Sequence, residues 1–190
     1  MVRHEAYIEK SWREHGLAQV LVARIRENGS ADYGVFLVDL WCLGVKDAFG
    51  ESDGQESDVR ALVDERLPES MREPIHPTCA KKLIEGALAY AERLGFAPHR
   101  DFRKARRVLS GIDASLCPME IVYGRNGRPC FVAGPHDSDE RVARVLAILN
   151  ARLGPENFDF ELFEEDLDEV DDEEEIGLVE LRKNLMYRLQ

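Results

Sequence analysis

The stretch LAQVLVARIRENGSADYGVFLVDLWCLGV, residues 17–45, decides the fold of this 190-residue chain. It holds two apolar runs separated by Asn28-Gly29, a pair that favours a two-residue hairpin loop because a type I′ turn needs positive φ at both positions. We expect one strand over 17–25 and a returning strand from Tyr33 to about Val45. Both faces of the returning strand are apolar, which predicts a central strand covered on each side.

Helical patterns flank this hairpin on both sides. Apolar residues four apart predict a short helix over 4–15 that ends at Gly16. After a polar loop over 50–57, helical spacing predicts another helix that Ser57 caps and Pro68 ends.

The clearest helix of the chain begins near Thr78, its expected N-cap, and repeats apolar residues at helical spacing until Gly95. A shorter helix is expected from Pro98 to about residue 110. The acidic start DSDE and a later apolar stripe predict one more helix over 137–153.

A second hairpin is expected from MEIVY (119–123), a turn over 125–128 and PCFVA (129–133). Together these patterns predict an α+β fold, with an antiparallel sheet of two hairpins, hence four or more strands, packed by four to five helices. An acidic C-terminal extension follows.

The formal net charge of −12 is concentrated in one segment. Residues 156–175 carry thirteen Asp or Glu and no Lys or Arg, so the rest of the chain has a net charge of +1. We therefore expect a compact domain over 1–155, an acidic segment over 156–175 and an amphipathic helix over 176–190.

This C-terminal layout is typical of a segment that binds a protein partner. Aromatic side chains alternate with charges at its start, and leucines recur at helical spacing at its end. The residues expected to contact the partner are Phe158, Phe160, Phe163, Leu178, Leu181 and Leu185. A return of the last helix to the protein's own core is the alternative.

Other sequence features exclude several classes of protein. No apolar run reaches the roughly 20 residues of a membrane span, and the N-terminus has no apolar core typical of a signal peptide. The four cysteines are scattered without a CxxC pair, so we expect reduced thiols and a cytoplasmic location.

Asp39 is the only charged residue in the second apolar run. With a two-residue turn it lies opposite Ala18, which supplies no cation. A buried carboxylate is unfavourable unless it is paired or hydrogen-bonded, so Asp39 is either a satisfied structural group or a catalytic carboxylate. In the second case Asp39 would bind a divalent metal, with Asp47 and Asp113 as further carboxylate ligands. The spacing of these three residues in the sequence is not typical of a known metal site.

His76 and Cys79 stand at the start of the strongest helix, where exposed amides lower the pKa of a thiol. They form a candidate base and nucleophile, although a cysteine at this position is also a common core residue. Zinc binding together with Cys42 or Cys117 is a weaker alternative, because no second ligand pair at regular spacing exists.

The segment HRDFRKARR (99–107) places cations on one face of its predicted helix. This face consists of Arg100, Arg103, Lys104 and Arg107. Three interpretations are open: a solvated surface, a contact with nucleic acid phosphates, or a docking site for the protein's own acidic segment.

We expect from these features a cytoplasmic, non-catalytic protein-interaction or regulatory module that works through its acidic segment and terminal helix, without a cofactor. The alternative is a metal-dependent hydrolase or nuclease, in which Asp39 binds the metal and the basic face anchors phosphate.

Overall fold

The apolar hairpin lies at the centre of a five-stranded antiparallel sheet in the computed structural model, which describes residues 2–162. The strands are β1 (Val2–Glu9), β2 (Leu17–Arg26), β3 (Ser30–Asp39), β4 (Gly44–Gln55) and β5 (Arg72–Pro74). Across the sheet they lie in the order β4, β3, β2, β1, β5. The predicted α+β class, with an antiparallel sheet of at least four strands, is confirmed.

The chain divides into two compact units, of which the first ends at Gly127 and the second begins at Arg128. The helices of the first unit are α1 (Trp12–His15), α2 (Glu56–Arg66), α3 (Pro77–Leu94) and α4 (Phe102–Ala105). The described part of the second unit contains β6 (Cys130–Val132), α5 (Asp139–Leu153) and β7 (Asp159–Glu161). Phe163 and the predicted 176–190 helix lie outside the described residues.

Alternate side chains of β2 and β3 are buried on opposite faces of the sheet, as predicted for central strands. On one face, the core joins the strands to α3 and α4 through Val20, Val22, Phe36, Val38, Leu83, Ile84 and Phe102. On the other face, α2 packs on β2 through Leu21, Ala23, Ile25, Val59 and Val63. Each of these Val, Leu, Ile and Phe side chains contributes about 1.5–3 kcal/mol when fully buried, so the two layers stabilise the hairpin from both sides.

The turn between β2 and β3 differs from the prediction by one residue. It has three residues, in which only Gly29 has positive φ, and the Gly29 amide donates to the Arg26 carbonyl over 3.0 Å. Asn28 instead accepts the Ser30 amide over 3.1 Å. Because of the longer loop, Asp39 lies opposite Leu17 and not opposite Ala18.

Two predicted boundaries near this hairpin are wrong. The returning strand ends at Asp39, where a turn leads into β4, and the expected loop over 50–57 is largely the continuation of β4. Gln55 rather than Ser57 caps α2, because the Gln55 and Asp58 side chains form a reciprocal capping box.

The helix predicted over 4–15 is also wrong. Residues 2–9 form β1, in which Ala6 and Ile8 are buried while their neighbours are more exposed. This alternation has the period of a strand, and pairing with β2 outweighs the weak helical spacing. Only the last turn, α1, is helical, and Gly16 ends it with a φ of 67° as expected.

The longest helix, α3, ends as predicted at Gly95, where the Phe96 amide donates to the Ala91 carbonyl over 2.9 Å. Its N-cap is His76 rather than Thr78. The next helix does not begin at Pro98, because the His99 amide bonds the Val45 carbonyl of the sheet over 2.9 Å. It is reduced to α4 and a following 3₁₀ turn, Arg106–Leu109.

The second predicted hairpin does not form in the described structure. Residues 119–123 make no strand, and β6 pairs instead with β7 in parallel. Parallel strands need a long crossover connection, which α5 supplies between them. Within the alternating sequence FDFELF (158–163), Asp159–Glu161 form strand β7.

Two glycines with positive φ allow a test of how closely α3 approaches the sheet. A Cβ at Gly44 would lie 2.7 Å from the Ala91 Cβ, whereas a Cβ at Gly29 would meet nothing within 4 Å. We expect Gly29→Ala to lower the unfolding free energy by about 1 kcal/mol, from left-handed backbone strain alone. Gly44→Ala should lower it by about 3 kcal/mol, because a steric clash is added.

Urea unfolding of both variants measures these losses. Equal losses for the two substitutions would contradict the close packing of α3 against the start of β4.

Candidate functional site

The Asp39 carboxylate closes the turn between β3 and β4. Its side chain is 7% exposed, and Oδ1 accepts the backbone amides of Trp41 and Cys42, each over 2.9 Å. The Leu43 amide makes a further hydrogen bond to this carboxyl. One side chain thus satisfies three consecutive backbone amides. This matches the first of the two alternatives for Asp39, a structural group whose hydrogen bonds are satisfied.

Burial raises the pKa of the Asp39 carboxyl above its ordinary value. The three backbone hydrogen bonds and the charge of Lys46 act in the opposite direction but do not outweigh the loss of hydration. Lys46 is therefore a cation that acts on the Asp39 carboxyl.

The other two carboxylates considered for a metal site have local roles. Asp47 is 68% exposed, lies 3.5 Å from His99 and accepts the Ala48 amide. Asp113 caps a 3₁₀ turn by accepting the Ser115 amide over 2.9 Å, and these hydrogen bonds lower its pKa. Within residues 2–162, no group of three His, Cys, Asp or Glu side chains could hold a metal ion.

His76 is the N-cap of α3 and Cys79 lies in its first turn, so both stand at the helix start as predicted, but they are not paired with one another. His76 Nδ1 lies 2.7 Å from Thr78 Oγ1. Cys79 is joined by a disulfide to Cys117, and the two Cα atoms are 4.9 Å apart. In this state the Cys79 sulfur carries no thiolate that could act as nucleophile or zinc ligand.

The expectation of four reduced thiols is thus wrong for this pair. No sequence pattern indicates this disulfide, because the two cysteines are 38 residues apart and only the packing of residues 112–123 against α3 brings them together. Cys42 and Cys130 are buried and outside any disulfide.

The cations over 100–107 lie on the surface of α4 and the following 3₁₀ turn. Phe102, Ala105 and Val108 are buried beneath them. We define the basic surface as Arg100, Arg103, Lys104, Arg106 and Arg107, all of which are exposed. Arg106, which helical spacing did not place on the predicted face, is also exposed and lies over the Phe102 ring.

Few acidic groups neutralise the basic surface. Arg100 lies 3.8 Å from Asp101, and Lys104 lies 3.8 Å from Glu51. Within residues 2–162, Arg103 and Arg107 make no ion pair. Two guanidinium groups are therefore available to an anionic ligand.

A buried ion cluster on β2 and β3 was not predicted. Asp32 Oδ2 accepts Arg24 Nε over 3.0 Å and Arg26 Nη2 over 2.6 Å, and its Oδ1 accepts the Asp53 amide over 3.1 Å. Burial opposes ionisation of Asp32, but these hydrogen bonds lower its pKa overall. The three-residue turn places Asp32 opposite Arg24, whereas the assumed two-residue turn would place it opposite Ile25.

Two of the residues expected to contact a protein partner belong to the described structure. Phe158 is buried, and Phe160 in β7 is half-buried. The centroids of the Phe158 and Phe160 rings are 6.4 Å apart. Phe163, Leu178, Leu181 and Leu185 lie outside the described residues.

Comparison of the chain with protein-family models, curated proteins and solved structures finds no match. No helix among residues 2–162 combines the length and the apolar character that crossing a membrane requires. The functional hypotheses therefore depend on the chemistry of the chain itself.

Two substitutions of Asp39 separate its hydrogen bonds from its charge. Asp39→Ala leaves buried amides without an acceptor, so the unfolding free energy should fall by about 3 kcal/mol. Asp39→Asn retains an acceptor oxygen and should cost less. Urea unfolding at one pH measures both losses.

The pH dependence of these variants tests the raised pKa of Asp39. The native state holds this proton more tightly than the unfolded chain, so its contribution to stability is lost as the pH rises above the ordinary value of 3.8. Asp39→Asn should therefore gain stability relative to the native sequence as the pH rises. A constant difference at every pH would contradict the raised pKa.

Proposed function

We propose that this chain is a cytoplasmic, non-catalytic interaction module that binds a protein partner through residues 156–190. The observation that carries the proposal is the segregation of charge. Residues 156–175 contain thirteen Asp or Glu and no Lys or Arg, and the rest of the chain is close to neutral.

The roles of the candidate catalytic residues support this proposal. Asp39 binds the amides of its own turn, and Cys79 is bonded to Cys117. A general base or nucleophile must instead reach a substrate from an accessible position. These side chains stabilise the first unit.

The acidic segment defines the chemistry of the partner. Dense negative charge accelerates the encounter with a partner protein whose surface is rich in Lys and Arg. Salt screens this attraction, with a Debye length of about 8 Å at physiological ionic strength. The leucines over 178–185 would add apolar contacts once the two proteins have met. The expected partner is a protein with a basic patch beside an apolar groove.

A matched pair of charge variants tests this proposal in the full chain. The tail variant neutralises Asp172, Glu173, Glu174 and Glu175 to their amides. The control variant neutralises the exposed Glu65, Glu69, Glu92 and Glu120, so that both lose four negative charges. We expect only the tail variant to lose its partners in affinity capture quantified by mass spectrometry.

Capture should also weaken with added salt, and chemical crosslinks to the partner should map to 156–190. Unchanged capture by the tail variant, or equal loss in both variants, would contradict the proposal.

The basic surface favours a second candidate function, the binding of a nucleic acid through its phosphates. Five exposed cations lie within eight residues, and Arg103 and Arg107 make no ion pair with the described part of the chain. Such contacts would provide affinity without base specificity.

Arg103→Gln combined with Arg107→Gln should weaken binding of an oligonucleotide about tenfold and reduce the salt slope by about two. Fluorescence anisotropy at several salt concentrations measures both quantities. Arg66→Gln with Arg93→Gln is the control, because it removes the same charge elsewhere. Equal effects of the two double variants would exclude a site at the basic surface.

A further inference from the structure

The segment Ile112–Tyr123, which we call the strap, crosses α3 with little regular structure. A single 3₁₀ turn, Ala114–Leu116, interrupts it, and residues 117–123 form neither helix nor strand. Lys81 and Lys82 of α3 donate to three strap carbonyls over 2.7–3.3 Å. The strap is therefore positioned by side chains of α3 and not by a backbone ladder.

The inner side chains of the strap cover part of α3. Met119, Ile121 and Tyr123 pack against the core cluster. Tyr123 lies against the helix at Gly86, where a Cβ would overlap its hydroxyl, and this hydroxyl donates to the Lys82 carbonyl over 3.1 Å. If Tyr123 left this position, a strip of the α3 surface around Gly86 would be exposed.

The disulfide is the only covalent tie between the strap and α3. Cys79 is the third residue of an 18-residue helix, so a thiolate there would be stabilised by the exposed amides of the first turn. Thr78 Oγ1 also lies 3.9 Å from its sulfur. At the other end, the Met119 amide donates to Cys117 Sγ over 3.3 Å. Both sulfurs thus have groups nearby that stabilise a thiolate.

We infer that Cys79–Cys117 is a site of reversible thiol–disulfide exchange, at which a dithiol reductant releases the strap from α3. Disulfides are rare in a reducing compartment such as the proposed cytoplasm, and those that form there are typically transient and catalytic or redox-sensing. The inference itself does not depend on the proposed partner binding.

The exchange proceeds in two steps. A thiolate of the reductant attacks Cys117 Sγ and forms a mixed disulfide, while the electron pair of the broken bond leaves on Cys79 Sγ, the sulfur in the helix turn. The second thiol of the reductant then attacks the mixed disulfide, forms the oxidised reductant and frees Cys117. Two electrons and two protons pass to the protein, and the dithiol becomes a disulfide.

Access to the sulfurs links this chemistry to motion of the strap. Cys79 is 4% exposed and Cys117 is 6% exposed, so a reductant reaches them when the strap lifts. Once reduced, the strap keeps only the hydrogen bonds and apolar contacts to α3, and its opening becomes more frequent.

Hydrogen exchange of the full chain before and after reduction tests the inference. Dithiothreitol under native conditions should reduce the pair, and glutathione disulfide should restore it. We expect amides over 112–124 to exchange about tenfold faster in the reduced protein, whereas β2 and β3 keep their protection. Cys117→Ser should reproduce the fast exchange without reductant, and Cys42→Ala should leave the reductant response unchanged.

Alkylation rates identify the leaving sulfur. In the reduced protein, Cys79 should react with iodoacetamide at lower pH than Cys117, as followed by peptide mass spectrometry. The reverse order would overturn the assignment of Cys79 as the leaving group.

Reduction that occurs only together with global unfolding would overturn the inference, and so would reduction without any change over 112–124. Both measurements use the native sequence, so they decide the question even if Cys117→Ser does not fold.

Discussion

The register between β2 and β3 is the constraint on which the rest of the first unit depends. Side chains alternate with a period of two, so one register directs Val20, Val22, Phe36 and Val38 together toward α3. The same register places Asp32 beside Arg24. A shift by one residue would move the apolar set to the opposite face and separate this ion pair, so the apolar layers and the buried charges specify one alignment.

Buried polar groups then determine where the strands end. Asp39 is placed at the last position of β3 and binds three consecutive amides, which turns the chain into β4. An aspartate among apolar residues raises the possibility of catalysis, yet satisfying the amides of a tight turn is a sufficient reason for its position. The raised pKa reflects burial and does not indicate a catalytic role.

The two surface features of the first unit differ in chemistry. The basic surface consists of long, exposed side chains that suit a salt-sensitive contact with phosphate. The strap is tied to α3 by the disulfide between Cys79 and Cys117, and the inferred thiol–disulfide exchange would release this tie.

The sequence by itself determined the α+β class, the central hairpin, the end of α3 at Gly95 and the concentration of acid over 156–175. These follow from local periodicity, from glycine conformation and from counted charges. Tertiary structure alone decided that residues 2–9 pair with β2, that β6 pairs with β7, and that Cys79 meets Cys117. These pairings depend on contacts between residues far apart in the chain. The free energy of such contacts exceeds the local preference of a segment for helix or strand, and the contacts leave no periodic pattern in the sequence.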